Sequence, residues 1–149
     1  MTQAADAVQR LNALWAQDFP LTHALGIKAV RFEEDSLHCT MPLSGNTNTH
    51  QTLFAGSLYS AQALTAWGVI WLALDQQNLS ASIIHASAQI DFTATVTSDV
   101  ALSCSFGNRR LVFDQLQENG KARFDLQTEI HQQQQLACRF SGNYAVRLG

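Results

Sequence analysis

The sequence predicts an α+β fold, with an antiparallel sheet of about six strands wrapped round one long central helix and preceded by an N-terminal helix. Three observations lead there. A long Ala- and Leu-rich segment, Leu53 to Leu74, is too long for a strand. The chain after it is built of apolar/polar alternations, the period of half-buried strands. Charge is scarce: Asp, Glu, Lys and Arg make up 14% of the 149 residues, against about 25% in a typical soluble domain. One domain spanning residues 1–149 is the expectation for this length.

The elements follow in order. Thr2 can cap a first helix in which Val8, Leu11, Trp15 and Phe19 share one face. Pro20 ends it, and Thr22–Leu25 forms one further turn closed by Gly26. Ile27–Phe32 and Ser36–Leu43 read as paired strands about the turn Glu33-Glu34-Asp35, and Leu37, Cys39, Met41 and Leu43 form one face. Ser44–Thr52 is a polar loop, and the central helix follows, ending near Asp75.

Four more strands complete the chain. Ser82–Thr93 puts Ile84, Ala86, Ala88, Ile90 and Phe92 on the core side, with His85 and Asp91 on the outer face, away from the helix. Val100–Phe106 alternates next. The strand from Ala122 to Ile130 follows the hairpin-like Asn119-Gly120. Leu136–Val146 finishes, with Gly142 as a bulge and Gln132–Gln135 as the turn before it. A helix apolar nearly all round needs cover on more than one side. The curled sheet supplies part of it, and a second copy closes the open sheet edge and the rest of the helix.

Composition excludes several functions. The net charge is −3, which gives no footprint for nucleic acid. No Lys or Arg occurs between Arg31 and Arg109. The first residues show no basic and apolar leader, and the central segment carries Ser57, Ser60, Gln62 and Thr65 without a basic flank, so no membrane span is expected. Cys39, Cys104 and Cys138 stand singly in apolar alternations and read as reduced thiols in a cytoplasmic protein. No metal spacing, phosphate loop or Gly-x-Ser-x-Gly elbow is present, and no cofactor is expected.

One segment carries more specific information. Pro42-Leu43-x-x-Asn46-x-Asn48, then Thr52-x-Phe54-x-Gly56-Ser57-Leu58, then Leu64-x-x-Trp67-Gly68, together with the element order, resembles the hotdog-fold superfamily of acyl-CoA thioesterases and dehydratases. Within it the sequence is most similar to the thioesterase family also found as a C-terminal domain behind some GNAT acetyltransferases. The resemblance implies hydrolysis of an acyl-CoA or acyl-carrier thioester at the start of the central helix, in a groove between the subunits of a dimer or dimer of dimers.

Thioester hydrolysis needs donors for the carbonyl oxygen, a group that positions or deprotonates water, and room for the acyl chain. The backbone N–H groups of Ala55 and Gly56 suit the first task, at the positive end of the helix dipole. Gly56 equally serves close packing. By the resemblance, Asn48, six residues before Phe54, assists, and Asn46 is its neighbouring candidate. Both asparagines also suit a plain turn. By the same resemblance, Phe54 and Ser57 are expected to border the substrate. His50 is either a base or a solvated loop histidine.

Phe54 and Ala55 replace the histidine and first glycine of the commoner motif. The helix has no carboxylate about two turns on, where many relatives carry one, leaving Gln62 or Thr65 to orient water. Arg109 and Arg110, read as an exposed loop pair, suit the phosphates of CoA, and Lys121 with Arg123 is the other basic pair. Trp67 and Trp71 read as packing residues. A non-catalytic acyl-thioester binding module is the alternative function, favoured by the missing carboxylate, and a ligand-free structural dimer is a third.

Overall fold

The computed structural model describes residues 2–149. Thr2 caps α1 (Gln3–Asp18) by accepting the Ala5 N–H, and Val8, Leu11 and Trp15 bury its inner face. Helix α2 (Leu21–Leu25) ends on Gly26, which adopts the left-handed conformation, as expected of a glycine cap. Strands β1 (Lys28–Glu33) and β2 (Ser36–Met41) join through Glu34 and Asp35, both at positive φ. The central helix α3 (Ala55–Gln76) has thirteen buried residues. It is long and apolar enough to cross a membrane, yet 67% of its most apolar window lies buried within the protein.

Strands β3 (Ala81–Phe92), β4 (Val100–Ser105), β5 (Lys121–Gln132) and β6 (Gln135–Leu148) complete a six-stranded antiparallel sheet ordered β1-β2-β4-β5-β6-β3. The glutamine turn expected before β6 is there, with Gln133 and Gln134 at positive φ. Cys39 and Cys104 are fully buried, and burial pushes both thiols up to about 12. They are inert packing groups, as their place in the alternations suggests.

Three expectations are corrected. A fourth helix, α4 (Arg109–Asn119), stands between β4 and β5 where the sequence reading had only a loop and a hairpin. Gly120 is its left-handed C-cap, bonding back to the Leu116 carbonyl, so Asn119-Gly120 ends a helix. Gly142 sits in regular pairing with Ala88 and Leu126. Its missing side chain makes room for the Phe140 and Tyr144 rings, which a Cβ would meet at 2.8 Å. The bulge lies instead across from it, between His85 and Ser87 on β3. One extra residue there reverses the strand's phase. Ile83 and His85 therefore face the core and Ile84 faces outward, 56% exposed.

The two sheet edges differ. At β1 the Asn12 side chain of α1 bonds both backbone groups of Ala29, donating to its carbonyl at 2.8 Å and accepting its N–H at 3.0 Å. The outer edge of β3 has no such cover among the described residues.

Candidate functional site

The start of α3 is held by a folded loop. Asn46 is buried, and its Nδ2 donates to the carbonyls of Leu25 (2.8 Å) and Pro42 (2.9 Å). Its own carbonyl accepts the Phe54 N–H at 2.8 Å, and the Leu43 N–H donates to Asp99 at 2.8 Å. Asn46 thus ties the end of α2, the loop and the helix start together. It is a framework residue, with no side-chain hydrogen left for a substrate.

Asn48 closes the loop tip. Its Oδ1 accepts the N–H groups of His50 (2.9 Å) and Thr52 (3.2 Å), while Nδ2 donates to Thr52 Oγ1 at 2.9 Å. An amide nitrogen carries a second hydrogen. That hydrogen has no partner among the described residues, so Asn48 keeps one free donor. His50 is exposed beside it.

Phe54 is the N-cap of α3, in extended conformation and with no side-chain cap. Its carbonyl accepts the N–H groups of Ser57 (3.0 Å) and Leu58 (3.1 Å). The amides of Ala55 and Gly56 have no acceptor among the described residues. They are the orphan donors of a helix start, aimed where the dipole favours negative charge. At Gly56 a Cβ would approach the Phe54 ring to 2.3 Å, so the ring's present position rests on the glycine. Phe54 is 53% exposed at the helix start, while Ser57 is buried.

Thr65 and Gln62 are not brought to the site. Both are fully buried on the sheet-facing side of α3. The Thr65 hydroxyl donates to the Ala61 carbonyl at 2.7 Å. Gln62 donates to the Leu58 carbonyl (3.1 Å) and Cys138 Sγ (3.1 Å), and accepts the Thr128 hydroxyl at 2.7 Å. Neither has a group free for water. Arg109 and Arg110 are also elsewhere. Arg109 opens α4, forms an ion pair with Asp35 and lies over the Phe113 ring. It borders Gln77, just past the last residue of α3, about 30 Å along the helix from Ala55.

What the sequence reading placed outside, the structure brings in. His85 stacks on Tyr144 (ring centroids 4.6 Å apart) and on Tyr59 (6.1 Å), and meets Phe140 edge-on at 5.7 Å. Tyr59 lies one turn after Ala55 on the same stripe of α3. The Ser87 carbonyl sits 3.1 Å from His85 Nε2. A carbonyl only accepts, so in neutral histidine the proton is on Nε2 and the Nδ1 lone pair is free. Burial lowers the imidazole pKa from its ordinary value, opposed by the Ser87 bond. The titratable groups facing it are Tyr59 on α3 and Tyr144 on β6. Asp91 stays on the outer face, exposed and opposite Arg139. Among the described residues no group of three His, Cys, Asp or Glu side chains could hold a metal ion.

Residues 8–148 match the family described as "Putative thioesterase (yiiD_Cterm)". The chain belongs to this family. Its fold is the hotdog fold, as solved relatives show. A Shewanella oneidensis protein described as a putative thioesterase is 30% identical, with TM-score 0.87 over 97% of this chain and 99% of that one. A Chlorobaculum tepidum protein of unknown function shares the architecture at 24% identity, TM-score 0.90, over 98% of each chain. So does a Haemophilus influenzae thioesterase at 18% identity, TM-score 0.71, over 95% of this chain and 90% of that one.

Proposed function

We propose that this member of the thioesterase family hydrolyses an acyl-CoA or acyl-carrier thioester at the start of α3, as a cytoplasmic homodimer joined along β3. The observation that carries the reading is the pair of unsatisfied Ala55 and Gly56 amides, held open by a hydrogen-bonded loop. A thioester carbonyl oxygen accepts both, and the free Asn48 hydrogen assists. His85 Nδ1 takes a proton as water attacks the carbonyl carbon. The oxyanion forms against the two amides. Collapse breaks the C–S bond, and the imidazolium returns the proton to the departing sulfur, leaving an acid and a thiol.

The dimer rests on the uncovered β3 edge and on area. The chain exposes 8285 Å², more than the roughly 7,500 Å² of a compact monomer of this mass. A two-fold axis at β3 joins the sheets antiparallel and covers the helix stripe Ala55-Tyr59-Ala63. A binding module without turnover is the second reading, favoured by the burial of Gln62 and Thr65 and by the absence of a carboxylate on α3 before Asp75. A panel of acyl-CoAs read with a thiol-reactive dye separates them. Turnover that collapses in Asn48→Ala supports hydrolysis. Tight binding of thioesters with no thiol released across the panel overturns it.

A further inference from the structure

Nine Lys and Arg residues serve the whole chain, and Arg10, Arg31, Arg109 and Arg139 are held in ion pairs. Of the remainder, Lys121, Arg123 and Arg147 line a single groove of about 880 Å³ between the outer face of the sheet and α4, and among the described residues no acidic side chain lines it. Strand register explains the convergence. Lys121 stands opposite Arg147, which stands opposite Ser82; in the next row are Arg123, Ala145 and Ile84. Neighbouring strands are about 4.8 Å apart and same-face residues about 7 Å. Three cations therefore surround a low floor made by Ser82 and Ala145.

Two details set this groove apart from a solvated basic surface. Like charges directly opposite on paired strands repel, so the Lys121/Arg147 pair works against the fold in a chain with few charges to place. Arg123 is also pre-oriented: its Nε donates to Asn143 Oδ1 at 2.6 Å, and Asn143 in turn donates to Asp125 at 2.9 Å. The terminal amino groups of Arg123 are left without a partner among the described residues. Beside the cations, Ile84 offers exposed apolar surface, and Gln115 and Asn119 on α4 offer side-chain amides.

We propose that this groove binds the phosphate-bearing end of a nucleotide. Arg123 and Arg147 present planar forks to phosphate oxygens. Lys121 supplies a point charge, Ile84 an apolar seat for the base, and the α4 amides its hydrogen bonds. Two sources share this chemistry, the nucleotide end of a CoA thioester and a separate nucleotide. The site stands whether or not the chain turns over a thioester, since binding is read directly.

The test is calorimetric titration of the intact protein with adenosine 3′,5′-bisphosphate and with ATP. The expected result is saturable binding of at least one, weakened about tenfold or more in Lys121→Gln and in Arg147→Gln, and weakened by added salt. The unliganded Lys121→Gln protein melts no lower than wild type, because the like-charge repulsion is relieved, so lost binding is not lost folding. Competition of the bisphosphate with acyl-CoA turnover in the wild type assigns the groove to the substrate's own nucleotide. Binding without competition assigns it to a separate one. No saturable binding of either nucleotide, or affinity unchanged in both variants, overturns the proposal, as does capture of an acidic carrier protein with no nucleotide binding.

Discussion

The two ends of α3 are made of the same helix and treated in opposite ways. At the C-terminal end the chain folds back on the last turn: Gln77 and Leu79 return their N–H groups to the Leu74 carbonyl and Asn78 to Asp75. Asp75, unfavourable so close to a helix C-terminus, is offset by Arg10. At the N-terminal end no side chain caps the helix, no charge is near in sequence, and two amides are left open. The framework around them is nonetheless tied together, through the buried Asn46. Unsatisfied donors in a rigid frame are a place for a ligand's oxygen; satisfied ones are only the end of a helix.

The strongest way to break that contrast is to remove the proposed base, His85. His85→Ala is expected to lower kcat about a hundredfold or more, with KM little changed and partial rescue by added imidazole. His85→Gln, which keeps the packing, shows the same loss. In the wild type the imidazole must be neutral to act, and burial holds its pKa below the ordinary value. Activity thus persists below pH of about 6.5 and falls as pH drops through the lowered pKa. A kcat profile flat across that range contradicts the assignment.

Next in size is Asn46→Ala, which strands the Leu25 and Pro42 carbonyls. A loss of about 2 kcal/mol is expected, seen as a Tm drop of roughly 6 °C, with activity falling as the loop loosens. Gly56→Ala separates function from stability. The new Cβ pushes the exposed Phe54 ring across the mouth, lowering kcat/KM by roughly tenfold. Helix propensity at the same time gains about 1 kcal/mol, so the melting temperature does not fall. The smallest effect belongs to the other end. Arg10→Ala removes a pair whose side chains are 51% and 27% exposed, and a stability loss of about 0.5 kcal/mol with unchanged turnover is expected.

Much of this was legible in the residues, and the parts that were not have physical causes. Alternation marked the strands, and unbroken apolarity marked α3. The motif from Pro42 to Trp67 located the helix start. Helix α4 was hidden because only Val112 and Leu116 are fully buried in it, and because Asn-Gly serves a helix cap as well as a hairpin. The division of labour between Asn46 and Asn48 was not readable, since both suit a turn. Only the fold shows that Asn46 meets the end of α2. His85 was misplaced because a bulge adds one residue without a sequence mark, and every side chain on one side of it changes face.

The central claim is that the Ala55 and Gly56 amides receive the thioester carbonyl. A crystal structure with a ketone analogue of an acyl-CoA, in which CH₂ replaces the thioester sulfur, tests it most directly. The account predicts the analogue's carbonyl oxygen about 2.7–3.1 Å from both amide nitrogens, with the acyl chain beyond the Phe54 ring. A bound analogue whose carbonyl lies away from the start of α3, with those amides still facing solvent, would contradict it.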